Sequence, residues 1–145
     1  MIRRELTLLA VAAILVSMTV PSVLACKTWT PGYWKNDRKH PWPTDTITLG
    51  VTVYTQTEAL GILRTPPKEG NAWIILAQKV IAGKLSMLAD PGPHWGVITF
   101  TQLIADADAW FVANPNPESY SDRATAIELA EAIDDVLNNP EYHQD

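Results

Sequence analysis

Between Gly70 and Asp90 the chain repeats apolar side chains at helical spacing. Trp73, Leu76, Ala77, Val80, Ile81, Leu85 and Leu88 fall on one face, which predicts a helix about four turns long with that face turned to a core. It starts near Asn71 and is stopped by Asp90-Pro91-Gly92-Pro93. A helix with so continuous an apolar stripe cannot stand alone, so the remaining segments have to cover it.

Those segments are legible in turn. Thr55 with Glu58 three residues on is a capping-box pattern, opening a short helix through Ala59, Leu60, Ile62 and Leu63 that ends before Pro66-Pro67. Thr99 with Gln102 repeats the pattern ahead of Phe100, Leu103, Ile104, Ala107, Trp110 and Phe111, and Asn114-Pro115-Asn116-Pro117 closes that helix. Ser119 with Asp122 opens a last one. Its inner face is Ala126, Leu129, Ala130, Ile133, Val136 and Leu137; Asp122, Glu128, Glu131, Asp134 and Asp135 face solvent. Upstream, Ile47, Leu49, Val51 and Val53 alternate with Thr46, Thr48, Gly50, Thr52 and Tyr54, the period of a half-buried strand, and Gly50 marks a reversal into two short strands. The expected fold is therefore mainly α: a small bundle of about four helices, one short β-hairpin and an irregular aromatic N-terminal segment.

The first 25 residues belong to a different category. Arg3 and Arg4 precede Leu6 to Val20, fifteen residues without charge, and Pro21 and Val23-Leu24-Ala25 then form a cleavage-type sequence. That order of zones is a signal peptide, and it is short for a membrane anchor. Residues 26–145 are read as one helical domain, exported to be secreted, periplasmic or on the outer cell surface. Its single cysteine, Cys26, cannot form an internal disulfide. Three fates are open to it: lipidation as the first mature residue, pairing with another chain, or a free thiol. Val23-Leu24-Ala25-Cys26 resembles a lipobox, with Leu24 bulkier than the small residue usual there.

The exported part carries nine Lys and Arg against fifteen Asp and Glu, a net charge of −6. Nucleic acid is an unsuitable partner for such a surface. Its charge is polarised: Lys35, Arg38, Lys39, Arg64 and Lys68 lie toward the front, and Arg123 is the one base after Lys84. The histidines His40, His94 and His143 are scattered without zinc-type spacing, and no calcium-loop pattern occurs, so neither metal nor cofactor is expected. No serine sits in a nucleophile elbow and the one cysteine is terminal, so no catalytic residues are assigned.

The feature that remains is aromatic. Trp29, Tyr33, Trp34 and Trp42 are interleaved with Pro31, Pro41 and Pro43. Exposed rings flanked by hydrogen-bonding side chains stack on sugars, which makes Trp29, Tyr33, Trp34, Lys35, Asn36 and Trp42 a candidate glycan-binding set. The competing reading is a lid, in which the rings order an otherwise irregular segment by covering the core. One or two rings can serve both ends.

The run Cys26-Lys27-Thr28-Trp29-Thr30-Pro31-Gly32-Tyr33-Trp34-Lys35-Asn36 resembles the opening of a family of secreted and surface-attached prokaryotic proteins, which starts with a cysteine and then Thr-x-Gly-Tyr-Trp-Lys-Asn. Pro41-Trp42-Pro43, Thr46 to Thr55, Leu63-Arg64-Thr65-Pro66-Pro67, Gly70-Asn71-Ala72 and Ile127 to Asn139 look like its later landmarks. The resemblance implies a cell-surface module and no particular reaction. Asp37-Arg38-Lys39 intervene where members often have His-Pro directly, Gln78 stands where many carry histidine, and Ser86 to Gly96 lacks their second cysteine. In the family Cys26 looks like half of a structural pair; here its partner is missing.

The function expected is thus a non-enzymatic extracellular or envelope module that binds cell-surface polysaccharide or another envelope protein, touching membrane only through a lipid on Cys26. A self-associating structural subunit is the alternative, and an envelope-polymer hydrolase comes third.

Overall fold

The computed structural model describes residues 28–91 and 100–139. The signal segment, Cys26 and the Thr99 cap lie outside them. In chain order the elements are α1 (Pro31–Trp34), β1 (Thr46–Leu49), β2 (Thr52–Thr55), α2 (Gln56–Leu63), a 3-10 turn (Lys68–Gly70), α3 (Ala72–Ala89), α4 (Phe100–Ala113) and α5 (Arg123–Leu137). The fold is mainly α, four longer helices with one antiparallel hairpin.

Helix α3 is the centre of it. Asn71 caps its start, Oδ1 accepting from Ile74 N at 3.1 Å. It packs most extensively on α5 and also touches α1, α2, α4 and β1. Although α3 has the length and apolarity of a membrane span, most of it is buried among these partners, as befits a core helix. Six of the seven predicted inner residues are buried; Leu88, in the last turn, stands half out of the core. Helix α4 comes close because Gly83 leaves room. A Cβ there would sit 2.9 Å from Phe100 Cζ and 3.0 Å from Ile104 Cδ1, inside contact distance.

The hairpin holds Leu49 opposite Thr52 and Ile47 opposite Tyr54, with Gly50-Val51 as the two-residue turn. Gly50 has φ of 65°, the left-handed value such turns need. The reversal changes which residues face in. Paired residues share a face of a sheet, so Thr52 and Tyr54 join Leu49 and Ile47, while Val51 and Val53 are 74% and 60% exposed. The alternation that runs unbroken through the sequence is broken in phase by the turn. Partial burial and the nearby Glu58 carboxylate raise the Tyr54 phenol above its ordinary value of 10.0.

Asp108 fastens the hairpin to the bundle. It accepts from Gly50 N at 2.9 Å and forms an ion pair with Lys84 at 2.8 Å, while Lys84 Nζ also donates to Thr48 O. Asp106, two residues earlier, is exposed and accepts from Gln102.

Two local readings are corrected or refined. Thr55 and Glu58 form the full reciprocal capping box of α2. For α5 the cap is Asp122 rather than Ser119. Asp122 is left-handed, with φ of 56°, and Oδ1 accepts from Thr125 N at 3.3 Å. The preceding loop is held away from helix by longer-range bonds: Ser121 N to Asn114 Oδ1, Ala72 N to Tyr120 Oη, and Asn71 Nδ2 to Pro117 O. Trp110 Nε1 then donates to Asp122 O at 3.1 Å and fixes where the helix begins.

Candidate functional site

The aromatic segment opens with a single helical turn. Pro31 occupies the first helical position, where its fixed φ is already suitable and its missing N–H is no loss. Thr30 O accepts from Tyr33 N and Trp34 N. A second tight turn follows at once, Asn36 O accepting from Lys39 N at 3.2 Å and His40 N at 2.8 Å.

This double reversal brings His40 back over Tyr33. The two rings stack at 3.6 Å with an 18° interplanar angle, and Trp29 lies near Tyr33 on a nearly parallel plane at 5.6 Å, 28°. Trp34 takes the edge of the group, at 87° to Tyr33 and 72° to Trp29, and is only 2% exposed. Its Nε1 is buried without a hydrogen-bond partner among the described residues. Trp42 closes the loop by donating Nε1 to Trp34 O at 3.0 Å.

The segment is tied to the bundle at three points. Trp29 N donates to Ser86 Oγ on α3 at 3.0 Å, and Thr28 Oγ1 donates to Leu137 O at the end of α5 at 3.1 Å. From the end of α2, Arg64 Nη2 donates to Lys35 O at 3.1 Å and to Asp37 Oδ1 at 3.2 Å. The end of α2 is itself secured by Gln78, whose Nε2 donates to Ile62 O and Thr65 O.

The six residues proposed as a glycan set therefore do different things. Trp34 is part of the core and offers no ring face. Trp29, Tyr33 and Trp42 are half-buried and packed on the core, with Tyr33 also stacked on by a neighbouring ring. Lys35 and Asn36 are exposed. Most of the aromatic area is lid, and what reaches solvent is a rim of partly exposed rings beside Lys35, Arg38 and Lys39. His40 and Arg64 belong to this site although spacing gave no sign of them. The His40 contact depends on two successive turns, and Arg64 arrives from another element.

Elsewhere the described residues hold less chemistry. No group of three His, Cys, Asp or Glu among them is placed to hold a metal ion. A cleft of about 220 Å³ between α3 and α5 is lined by Ile75, Ile127 and Ala130, with the Lys79–Asp134 ion pair (2.7 Å) at its rim. A second, of about 370 Å³, lies between the hairpin, α3 and α4 and is lined by Ile47, Met87, Leu88 and Ile104 beside Lys84. Both clefts are mainly apolar, and the lysine at each is already engaged by an aspartate, Lys79 by Asp134 and Lys84 by Asp108.

No protein-family model matches the chain, and no curated protein or solved structure matches it significantly.

Proposed function

We propose that this is an exported, non-catalytic envelope module that binds cell-surface polysaccharide or another envelope protein through the turn from Trp29 to Trp42. One observation carries the reading: an irregular segment is held in a single conformation and has its polar and cationic side chains on the outside. Ordering irregular backbone costs about 1–2 kcal/mol per residue, and here the ring stack, the Trp42 bond and the Arg64 clamp all serve to offset that cost. A surface loop fixed in advance loses little further freedom when it binds. The export signal read at residues 1–25 supplies the address, and a lipid on Cys26 would tether the module to a membrane.

Intrinsic fluorescence tests it directly, because Trp29 and Trp42 are both partly exposed within the turn. Titrating purified protein with polysaccharide extracted from cell envelopes is expected to shift the tryptophan emission and to saturate. A flat titration with both polysaccharide and extracted envelope protein would end this proposal.

Self-association is the second reading. It is favoured by Glu128, Glu131 and Asp135, exposed on α5 as an acidic counterpart to the basic turn.

A further inference from the structure

The turn after α1 concentrates positive charge in a protein that is acidic overall. Lys35, Arg38 and Lys39 are exposed, and among the described residues no carboxylate pairs with any of them. Asp37, the one acid of the turn, is engaged by Arg64, which adds its own cation. Four cations against one carboxylate leave a local charge of +3, in a chain whose net charge is −5. The cations of α3 are placed otherwise: Lys79 and Lys84 each have an aspartate, at 2.7 Å and 2.8 Å.

Three like charges within five residues repel one another. They are nonetheless mounted on fixed backbone. The turn at Asn36 is closed by its bonds to Lys39 and His40, and Arg64 grips the carbonyl of Lys35. The cations are spread along the turn, at positions 35, 38 and 39, all exposed, which suits repeated anions along an extended chain. Beside them the partly exposed rings of His40, Tyr33 and Trp42 offer apolar surface to a sugar backbone.

We infer that the ligand of this turn is a polyanionic polysaccharide, a chain of sugar or polyol units carrying carboxylate or phosphate groups, with Lys35, Arg38 and Lys39 contacting the anions. The inference rests on the surface-binding reading above and narrows it to one class of polymer.

Calorimetric titration of the whole exported chain at low and high salt tests it, with polygalacturonate and poly(glycerol phosphate) as probes and dextran as the neutral control. At least one polyanion is expected to bind, more tightly than dextran, and high salt is expected to weaken it. The triple variant Lys35→Ala/Arg38→Ala/Lys39→Ala removes only exposed side chains, so an unchanged circular-dichroism melt shows that it folds. Its affinity is expected to fall about tenfold, since each exposed charge contact contributes a fraction of a kcal/mol. Equal binding of dextran would overturn the polyanion inference and leave surface binding standing. Binding only to phosphatidylglycerol vesicles, or a salt-sensitive dimer with no polymer bound, would overturn it by naming a different occupant. Silence with every probe, including extracted envelope material, would remove both readings together.

Discussion

Trp73→Ala is expected to lower the stability of the protein by about 3–5 kcal/mol. The ring is buried to within 1% at the start of α3 and meets Phe111 edge-on at 5.2 Å and 72°. Its Nε1 donates to Asn114 O at 2.8 Å. Asn114 in turn is buried where α4 ends, and its side chain accepts from Ser121 N. Truncation therefore opens a cavity between α3 and α4 and also orphans a carbonyl in the loop that positions α5. A domain of this size has only about 5–15 kcal/mol to lose, so the variant should unfold at far lower denaturant. Trp73→Phe separates the two effects. It keeps a ring in the space and loses the hydrogen bond, for an expected cost of about 1–3 kcal/mol. Equilibrium urea unfolding of both variants decides the matter, and a Trp73→Ala protein within 1 kcal/mol of the parent, on the order of one small core deletion, would show that the ring is not the anchor described.

Gly50→Val should be nearly as damaging, at about 3 kcal/mol, from left-handed strain of about 1–2 kcal/mol and overpacking of a similar size. The position has φ of 65°, and a Cβ would lie 2.8 Å from Val112 N and 3.0 Å from Phe111 C. Both neighbours are backbone of α4, so neither can rotate aside. The turn must lift, and with it goes the bond from Gly50 N to Asp108. The adjoining Val51→Ala is the control: it lies in the same turn, is largely exposed, and should shift stability by no more than about 0.5 kcal/mol. Thermal and urea unfolding of the pair should differ clearly. Equal curves would mean that the hairpin is not seated on α4.

What could be read from the sequence was whatever is decided within a few residues. Helix α3 and its start near Asn71, the Thr55–Glu58 box and the proline-rich stops depend on spacing and on side chains that reach their own backbone, and they lie where spacing put them. Two readings failed, for different reasons. Val53 faces solvent because the turn resets the phase of the strand, which no alternation pattern records. Asp122 displaces Ser119 as the cap because Trp110, Tyr120 and Asn114 hold the loop from outside. In the aromatic segment, composition did not tell which ring would enter the core. Trp34 goes in while Lys35 beside it stays exposed, since successive residues on a helical turn point about 100° apart. The Arg64 clamp joins residues 27 apart in the chain, and such pairings belong to the folded state alone.

The hydrogen bond from Thr28 Oγ1 to Leu137 O joins the first described residue to the last turn of the last helix. The two ends of the core thus leave from the same pole. A short peptide could join them, and the chain could then be reopened at the exposed Lys68–Glu69 turn, giving a circular permutant with the same packing. The same geometry means that the unit fits into a loop of a larger host with little disturbance, because its entry and exit are neighbours.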